Sequence, residues 1–288
     1  MRSSSVRAET ASESFFAHRP ALYSGLRWRL LYRLPWLIIH LLLALPLAVV
    51  AQMPALRDRP WGGLTVEDQV ARWWCRGLLR IFGLRVQVHG QLTRQAVLVV
   101  ANHLSWLDIV SLLSLRSMRF VAKAEISRWP VVGWLVTRAR TVYVARGCSD
   151  SAQQVLNTMT QKLRAQQKVA IFPEGGVPEV NGVARFRHRL LAAAVQANVA
   201  VEPIALRYSV DGVVDKSLGF WPGEHFMANF FRLLGGPPAM VEVIVAAPIA
   251  SVGMTSRELA QAAENVVRRH YEQGYAVAEH QITQGEAS

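Results

Sequence analysis

Val97-Leu98-Val99-Val100-Ala101-Asn102-His103-Leu104-Ser105-Trp106-Leu107-Asp108 carries both a fold signal and a candidate site. Val97 to Ala101 reads as a buried strand, and Trp106 to Leu115 continues with helical periodicity. His103 and Asp108 stand five positions apart, which on an unbroken helix would separate their side chains by about 140°. They can face one another only if His103 lies on the strand-to-helix turn and Asp108 on the first helical turn. An imidazole oriented by a carboxylate is a general base. A structural reading fits the same residues: Ser105-x-x-Asp108 ahead of an apolar run is a capping box, and Asp108 then serves only the helix N-terminus.

A second strand-to-turn signature follows. Val169-Ala170-Ile171-Phe172 is a short apolar strand, and Pro173-Glu174-Gly175-Gly176 is a charged turn, placed where the C-terminal strand ends of an open α/β sheet build their sites. Together the two signatures resemble the first and third motif blocks of the glycerolipid acyltransferase family, typified by 1-acyl-sn-glycerol-3-phosphate acyltransferase. Lys123-x-Glu125, Trp129-Pro130-x-x-Gly133-Trp134 and Thr141-Val142-Tyr143-Val144-x-Arg146 resemble the second block, and Val201-x-Pro203-Ile204 the fourth. The resemblance covers roughly residues 84 to 250, with the four blocks in the family's order.

The resemblance implies transfer of a fatty acyl group from an acyl thioester, on coenzyme A or acyl carrier protein, to the free hydroxyl of a lysolipid. No further cofactor and no metal is implied. A hydroxyl near neutral pH is a poor nucleophile, so such a reaction needs a base, with His103 as the candidate and Asp108 orienting it. Ser105 sits in no Gly-x-Ser-x-Gly elbow and is assigned to turn or cap stabilisation. Glu174, Gly175 and Gly176 are expected to shape the acceptor site; their structural alternative is a tight turn and nothing more. The family commonly continues Glu-Gly-Thr-Arg-Ser, whereas here Gly176-Val177-Pro178 follows, so the Arg expected to hold an acceptor phosphate is missing. Arg146 or the run Arg185-Phe186-Arg187-His188-Arg189 can replace its charge, with Lys123 a weaker candidate; an arginine run is also an ordinary solvated face. Lysophosphatidate is the expected acceptor. The alternative branch, lyso-ornithine lipid acyltransferases, is suggested by Phe186 to Ala194 and by Trp221-x-Gly223-Glu224.

Of 288 residues 51% are hydrophobic, with a net charge of +12, so contact with anionic lipid or an acidic carrier protein is expected. Basic residues are scattered and no zinc, RNA-stacking or helix-turn-helix pattern accompanies them, which argues against nucleic acid. A non-catalytic lipid-binding module and a lipid-ester hydrolase are the competing classes. The first leaves the His-Asp pair unexplained; the second uses water as acceptor. Cys75 and Cys148 read as free thiols.

Leu34 to Leu56 is an uncharged run of about 23 residues preceded by Arg27, Arg29 and Arg33. A single crossing from a cytoplasmic N-terminus would place the site away from cytoplasmic donors. Pro35, Pro46 and Pro54 interrupt the run, and Val66 to Phe82, with Trp73, Trp74, Leu78, Leu79 and Ile81, offers a second amphipathic segment. A helical hairpin or interfacial anchor on an inner membrane, with the site facing the cytoplasm, is therefore expected. Val49-x-Ala51 could be a signal cleavage site, but the roughly 33 residues ahead of the run are too many for a basic n-region. The expected organisation is a disordered segment 1–18, a membrane-anchoring helical region 19–82, an α/β domain 83–252 with a mixed, largely parallel sheet flanked by helices, Ser149 to Gln166 and Phe186 to Gln196 among them, and a C-terminal helix and tail 253–288. That last helix is capped by Thr255-x-x-Glu258 and is expected to run to about Gln273.

Overall fold

The computed structural model describes residues 25–123, 142–144, 149–177, 182–215, 218–221 and 224–285. The segment 1–18, Glu125, Trp129, Trp134, Arg146 and Cys148 lie outside the described residues. The chain forms two compact units.

The first unit holds residues up to Gln87, Leu104–Leu115 and Tyr208–Val241, so it takes in segments that sequence alone assigned to the α/β domain. Helix α1 (Leu26–Ala51) carries Arg27, Arg29 and Arg33 in its first turns and is uncharged and mostly apolar from Leu34 onward. Arg33, Leu37, His40, Ala44 and Ala51 are buried along one face, while Trp28, Leu31, Trp36, Ile38, Leu42 and Leu43 are exposed. It is long and apolar enough to cross a bilayer. Pro54 falls beyond its end at Ala51, and the other two prolines do not interrupt it as expected: Pro35 and Pro46 lie inside one continuous helix. Each removes a donor and crowds the carbonyl one turn back, at a cost of ~3 kcal/mol. Buried Arg33 and Leu37 flank Pro35, and buried Ala44 and Ala51 flank Pro46, so packing on either side holds the axis.

Strands β1 (Pro60–Trp61) and β2 (Leu64–Thr65) form a small hairpin whose loop glycines, Gly62 and Gly63, have φ of 59° and 81°. Helix α2 (Val66–Ile81) starts where the Thr65 hydroxyl accepts the Asp68 N–H at 3.2 Å. It buries Val70, Cys75, Leu78 and Leu79 at helical spacing and packs against α1. His40 fixes the pairing through a 3.0 Å bond between its Nε2 and the Trp74 carbonyl, and a Cβ on Gly77 would come within 2.4 Å of its ring. Burial pushes the Cys75 thiol up to about 12, so it is an inert packing group. Helix α3 (Leu107–Leu115) packs on α2, where the Arg76 guanidinium donates to the Ser114 carbonyl at 3.0 Å.

The second unit holds Val88–His103, Arg116–Arg207 and Glu242–Ser288 and is the α/β part. The eight-stranded sheet joins β3 (Leu84–His89), β4 (Leu98–Ala101), β5 (Arg119–Lys123), β6 (Val142–Val144), β7 (Val169–Ile171), β8 (Val201–Val210), β9 (Val213–Val214) and β10 (Ala239–Val245), of which β4 to β7 lie wholly in this unit, whereas β9 and parts of β3, β8 and β10 belong to the first. The order is β3-β10-β8-β4-β7-β5-β6, with β9 hydrogen-bonded antiparallel to β8. Neighbours from β8 through β4, β7 and β5 to β6 are parallel. Every residue of β4 and β7 is buried, as unbroken apolar runs in central parallel strands require. Helices α4 (Ser149–Arg164), α5 (Ala192–Ala197) and α7 (Ser256–Gly285) accompany the sheet; α6 (Phe226–Leu234) belongs to the first unit and packs on α1.

Two expected helices are corrected. Phe186 to Gln196 is a 3-10 turn over His188–Leu191 followed by α5; Phe186 and Arg187 precede it because their N–H groups donate to Glu264 and to the Pro173 carbonyl. The last helix begins at the Thr255–Glu258 cap but continues past Gln273 to Gly285.

Candidate active site

The site begins with the way β4 ends. Asn102 is fully buried; its side-chain amide donates to the Leu206 carbonyl at 3.0 Å and accepts the Leu206 N–H at 2.7 Å. The pair prolongs the β4–β8 ladder by one step through a side chain, which frees the backbone to turn at His103. His103 is half-buried, and its ring lies on the Phe172 ring with centroids 4.0 Å apart and planes 12° from parallel. Phe172 in turn stacks on Phe120, at 5.8 Å and 22°.

Asp108 is on the first turn of α3, as the spacing demanded, and is 0% exposed. Its Oδ2 accepts the N–H groups of Leu104 (2.7 Å) and Ser105 (2.8 Å), and its Oδ1 accepts the Tyr208 hydroxyl at 2.6 Å. The Leu104 N–H belongs to the peptide that joins His103 to the turn, so Asp108 anchors the backbone carrying the imidazole. Burial, then the Asp108 charge, pushes the Tyr208 phenol well up, so it stays a donor. Ser105 is wholly buried, and its hydroxyl is hydrogen-bonded to Tyr208 and lies 3.4 Å from the Leu107 N–H, which suits a turn-stabilising residue.

The Glu174 turn closes with the Gly175 N–H on the Phe172 carbonyl at 3.2 Å. Gly175 has φ of 85°, and the Arg187 guanidinium lies so near that a Cβ would meet its Cζ at 3.0 Å. The positive φ favours glycine there, and a side chain would in addition push the Arg187 guanidinium aside by a few tenths of an ångström. The Arg187 N–H reaches the Pro173 carbonyl at 2.9 Å, so of the three arginines this one is brought to the turn. All three arginines, Arg185, Arg187 and Arg189, are exposed, Glu174 is buried and Gly176 half-buried. Lys123 ends β5 opposite Val144.

Sequence reasoning gave no role to Asn102, Phe172 or Tyr208, and it read Trp221 and Glu224 only as a branch signature, without their cluster around Trp106. The Trp106 indole N–H donates to Asn229 at 3.1 Å, and the Asn229 amide donates to Glu224 at 2.8 Å. Arg232 holds both Glu224 oxygens and lies 3.9 Å over the Trp221 ring. Trp106 also stacks on Phe230, at 5.8 Å and 19°.

With this geometry in place, residues 85–207 match the acyltransferase family model. A lyso-ornithine lipid O-acyltransferase of Pseudomonas aeruginosa is 36% identical over 229 residues, 79% of this chain and 88% of that protein. The chain belongs to the acyltransferase family. A 1-acyl-sn-glycerol-3-phosphate acyltransferase of Neisseria gonorrhoeae, of the same family resemblance, is 36% identical over 112 residues, 39% of this chain and 44% of that one. The fold is shared with the crystal structure of the 1-acyl-sn-glycerophosphate acyltransferase PlsC from Thermotoga maritima, with a TM-score of 0.64 at 21% identity over 85% of this chain and 95% of that one. The two strand-to-turn signatures sit at the ends of β4 and β7, neighbouring parallel strands, in register from Leu98↔Val169 to Val100↔Ile171.

Proposed function

We propose that this chain is a membrane-associated O-acyltransferase that moves a fatty acyl group from an acyl thioester to the hydroxyl of lyso-ornithine lipid. The carrying observation is the exit of β4: a half-buried imidazole on a turn whose backbone is gripped by a fully buried carboxylate. His103 takes the acceptor hydroxyl's proton as its oxygen attacks the thioester carbonyl, and Asp108 supports the imidazolium. The carbon–sulfur bond then breaks, and the departing thiolate recovers that proton, so no acyl-enzyme is needed. Glu174, Gly175 and Gly176 border the acceptor.

Two facts favour lyso-ornithine lipid over the lysophosphatidate first expected. The relative named for it aligns over 79% of this chain against 39%, and Gly176-Val177 stands where the family commonly carries Thr-Arg. One observation favours lysophosphatidate: the Arg187 guanidinium against Gly175 offers a replacement cation. Incubating purified protein with either lysolipid and an acyl thioester, and weighing the products by mass spectrometry, separates them. Diacylated ornithine lipid without phosphatidate is the expected result. Phosphatidate alone would install the second reading, under which Arg187→Ala raises the apparent KM for lysophosphatidate severalfold and leaves kcat nearly unchanged.

Membrane contact is assigned to the exposed apolar side of α1, continued by Trp61 and Trp73, with both ends of the α1–α2 hairpin on the cytoplasmic side of an inner membrane. The full-length chain is expected to sediment with membranes in low salt and to need detergent for release. Recovery in the soluble fraction without detergent would remove the anchor.

A further inference from the structure

We propose that Phe172 is a positioning residue for acyl transfer, its ring face seating the His103 imidazole and stabilising the charge that imidazole acquires as it takes the hydroxyl proton. The inference rests on His103 being the base. It starts from three neighbouring parallel strands, β4, β7 and β5, which set His103, Phe172 and Phe120 side by side as one column of rings. Phe120 is 4% exposed and stacks behind Phe172, and Phe172 backs the imidazole.

A hydrogen bond to one ring nitrogen constrains an imidazole along that line and leaves it free to swing about it. A flat contact at 4.0 Å and 12° fixes the plane. The same contact has an electrostatic side, because the face of a phenyl ring carries negative charge density. Toward a neutral imidazole this gives little. Toward an imidazolium, well within the ~6 Å at which cations are drawn to a ring face, it is attractive. The attraction therefore grows as the proton moves and is stronger in the transition state than with substrate merely bound, which raises kcat rather than lowering KM. The Phe172 carbonyl also accepts the Gly175 N–H, so one residue sets both the imidazole plane and the root of the Glu174 turn.

The test replaces Phe172 with phenylalanines bearing successive ring fluorines, which drain the ring face of negative charge at nearly constant volume. Full-length protein in detergent is assayed with an acyl thioester and whichever of lyso-ornithine lipid and lysophosphatidate it turns over. Stepwise loss of kcat with fluorine content at unchanged KM is expected, reaching about five- to thirtyfold with the most fluorinated ring. Phe172→Leu, which keeps apolar bulk but has no ring face, should fall at least as far. Rates indifferent to fluorination would overturn the inference and leave Phe172 a packing residue. His103→Ala is read first: if that variant keeps its rate, the base assignment fails and this inference with it. If His103 is essential and the fluorine series is flat, only the role of Phe172 is lost.

Discussion

Asp108→Asn is expected to lower the rate of acyl transfer on the order of 10²-fold or more, the range of general acid–base catalysis, while the protein stays folded. The geometry makes this substitution discriminating. Asp108 holds two backbone N–H groups on Oδ2 and the Tyr208 hydroxyl on Oδ1. An asparagine can keep its oxygen on the N–H pair and turn its amide toward Tyr208, whose hydroxyl accepts as well as donates. The turn then survives, and what disappears is the negative charge that stabilises an imidazolium. If Asp108 served only to cap α3, Asn would be close to neutral. His103→Ala should abolish transfer outright, and the double variant should be barely worse than His103→Ala, since the two act as one unit. The measurement is steady-state transfer from acyl thioester to purified lysolipid, beside thermal melts of each variant. Wild-type rates in a folded Asp108→Asn protein would return Asp108 to a structural role.

The strand-turn-helix carrying His103 and Asp108 was legible because its signals are local: an unbroken apolar run for β4, then helical spacing from Trp106. The same holds for β7 and the Glu174 turn. What escaped depends on distant residues. Tyr208 lies a hundred positions from Asp108, and nothing near either one encodes their bond. Asn102 reads as an ordinary loop residue until Leu206 lies beside it. Arg187 was expected on a helix, but its N–H is taken by Pro173, and that departure brings its guanidinium to Gly175. Two hairpins were readable and passed over. Gly62-Gly63 and Asp211-Gly212 are two-residue loops with positive φ throughout, a strong local turn signal. The prolines of α1 show the opposite error, a local rule overridden by packing.

Arg33→Met is expected to destabilise the protein by about 3–5 kcal/mol, although it keeps much of the side-chain volume and makes α1 more apolar. Arg33 is 4% exposed, and its Nη1 faces the carbonyls of Phe82 (3.1 Å), Leu234 (2.9 Å) and Gly236 (2.9 Å). Phe82 is the C-cap of α2, and Leu234 and Gly236 flank that of α6, so one cation meets the negative ends of two helices. The sequence is built around that contact: a Cβ on Gly83, whose φ is 76°, would lie 2.3 Å from Arg33 Nη2. Methionine leaves three carbonyls without this donor, and desolvated carbonyls left unbonded cost more than the bonds were worth. Lysine restores the charge but brings a single nitrogen on a differently shaped stem, so partial recovery is expected. Thermal unfolding in detergent, followed by helical circular dichroism, should show Arg33→Met melting roughly 10 °C below wild type. If hydrophobic burial alone held α1 to its partners, Met would be neutral or stabilising, and a melting temperature at or above that of the wild type would establish it. A loss that Lys partly reverses would instead make Arg33 the tie binding the apolar helix to α2 and α6, so that α1 is held as part of this helical unit by a specific polar contact.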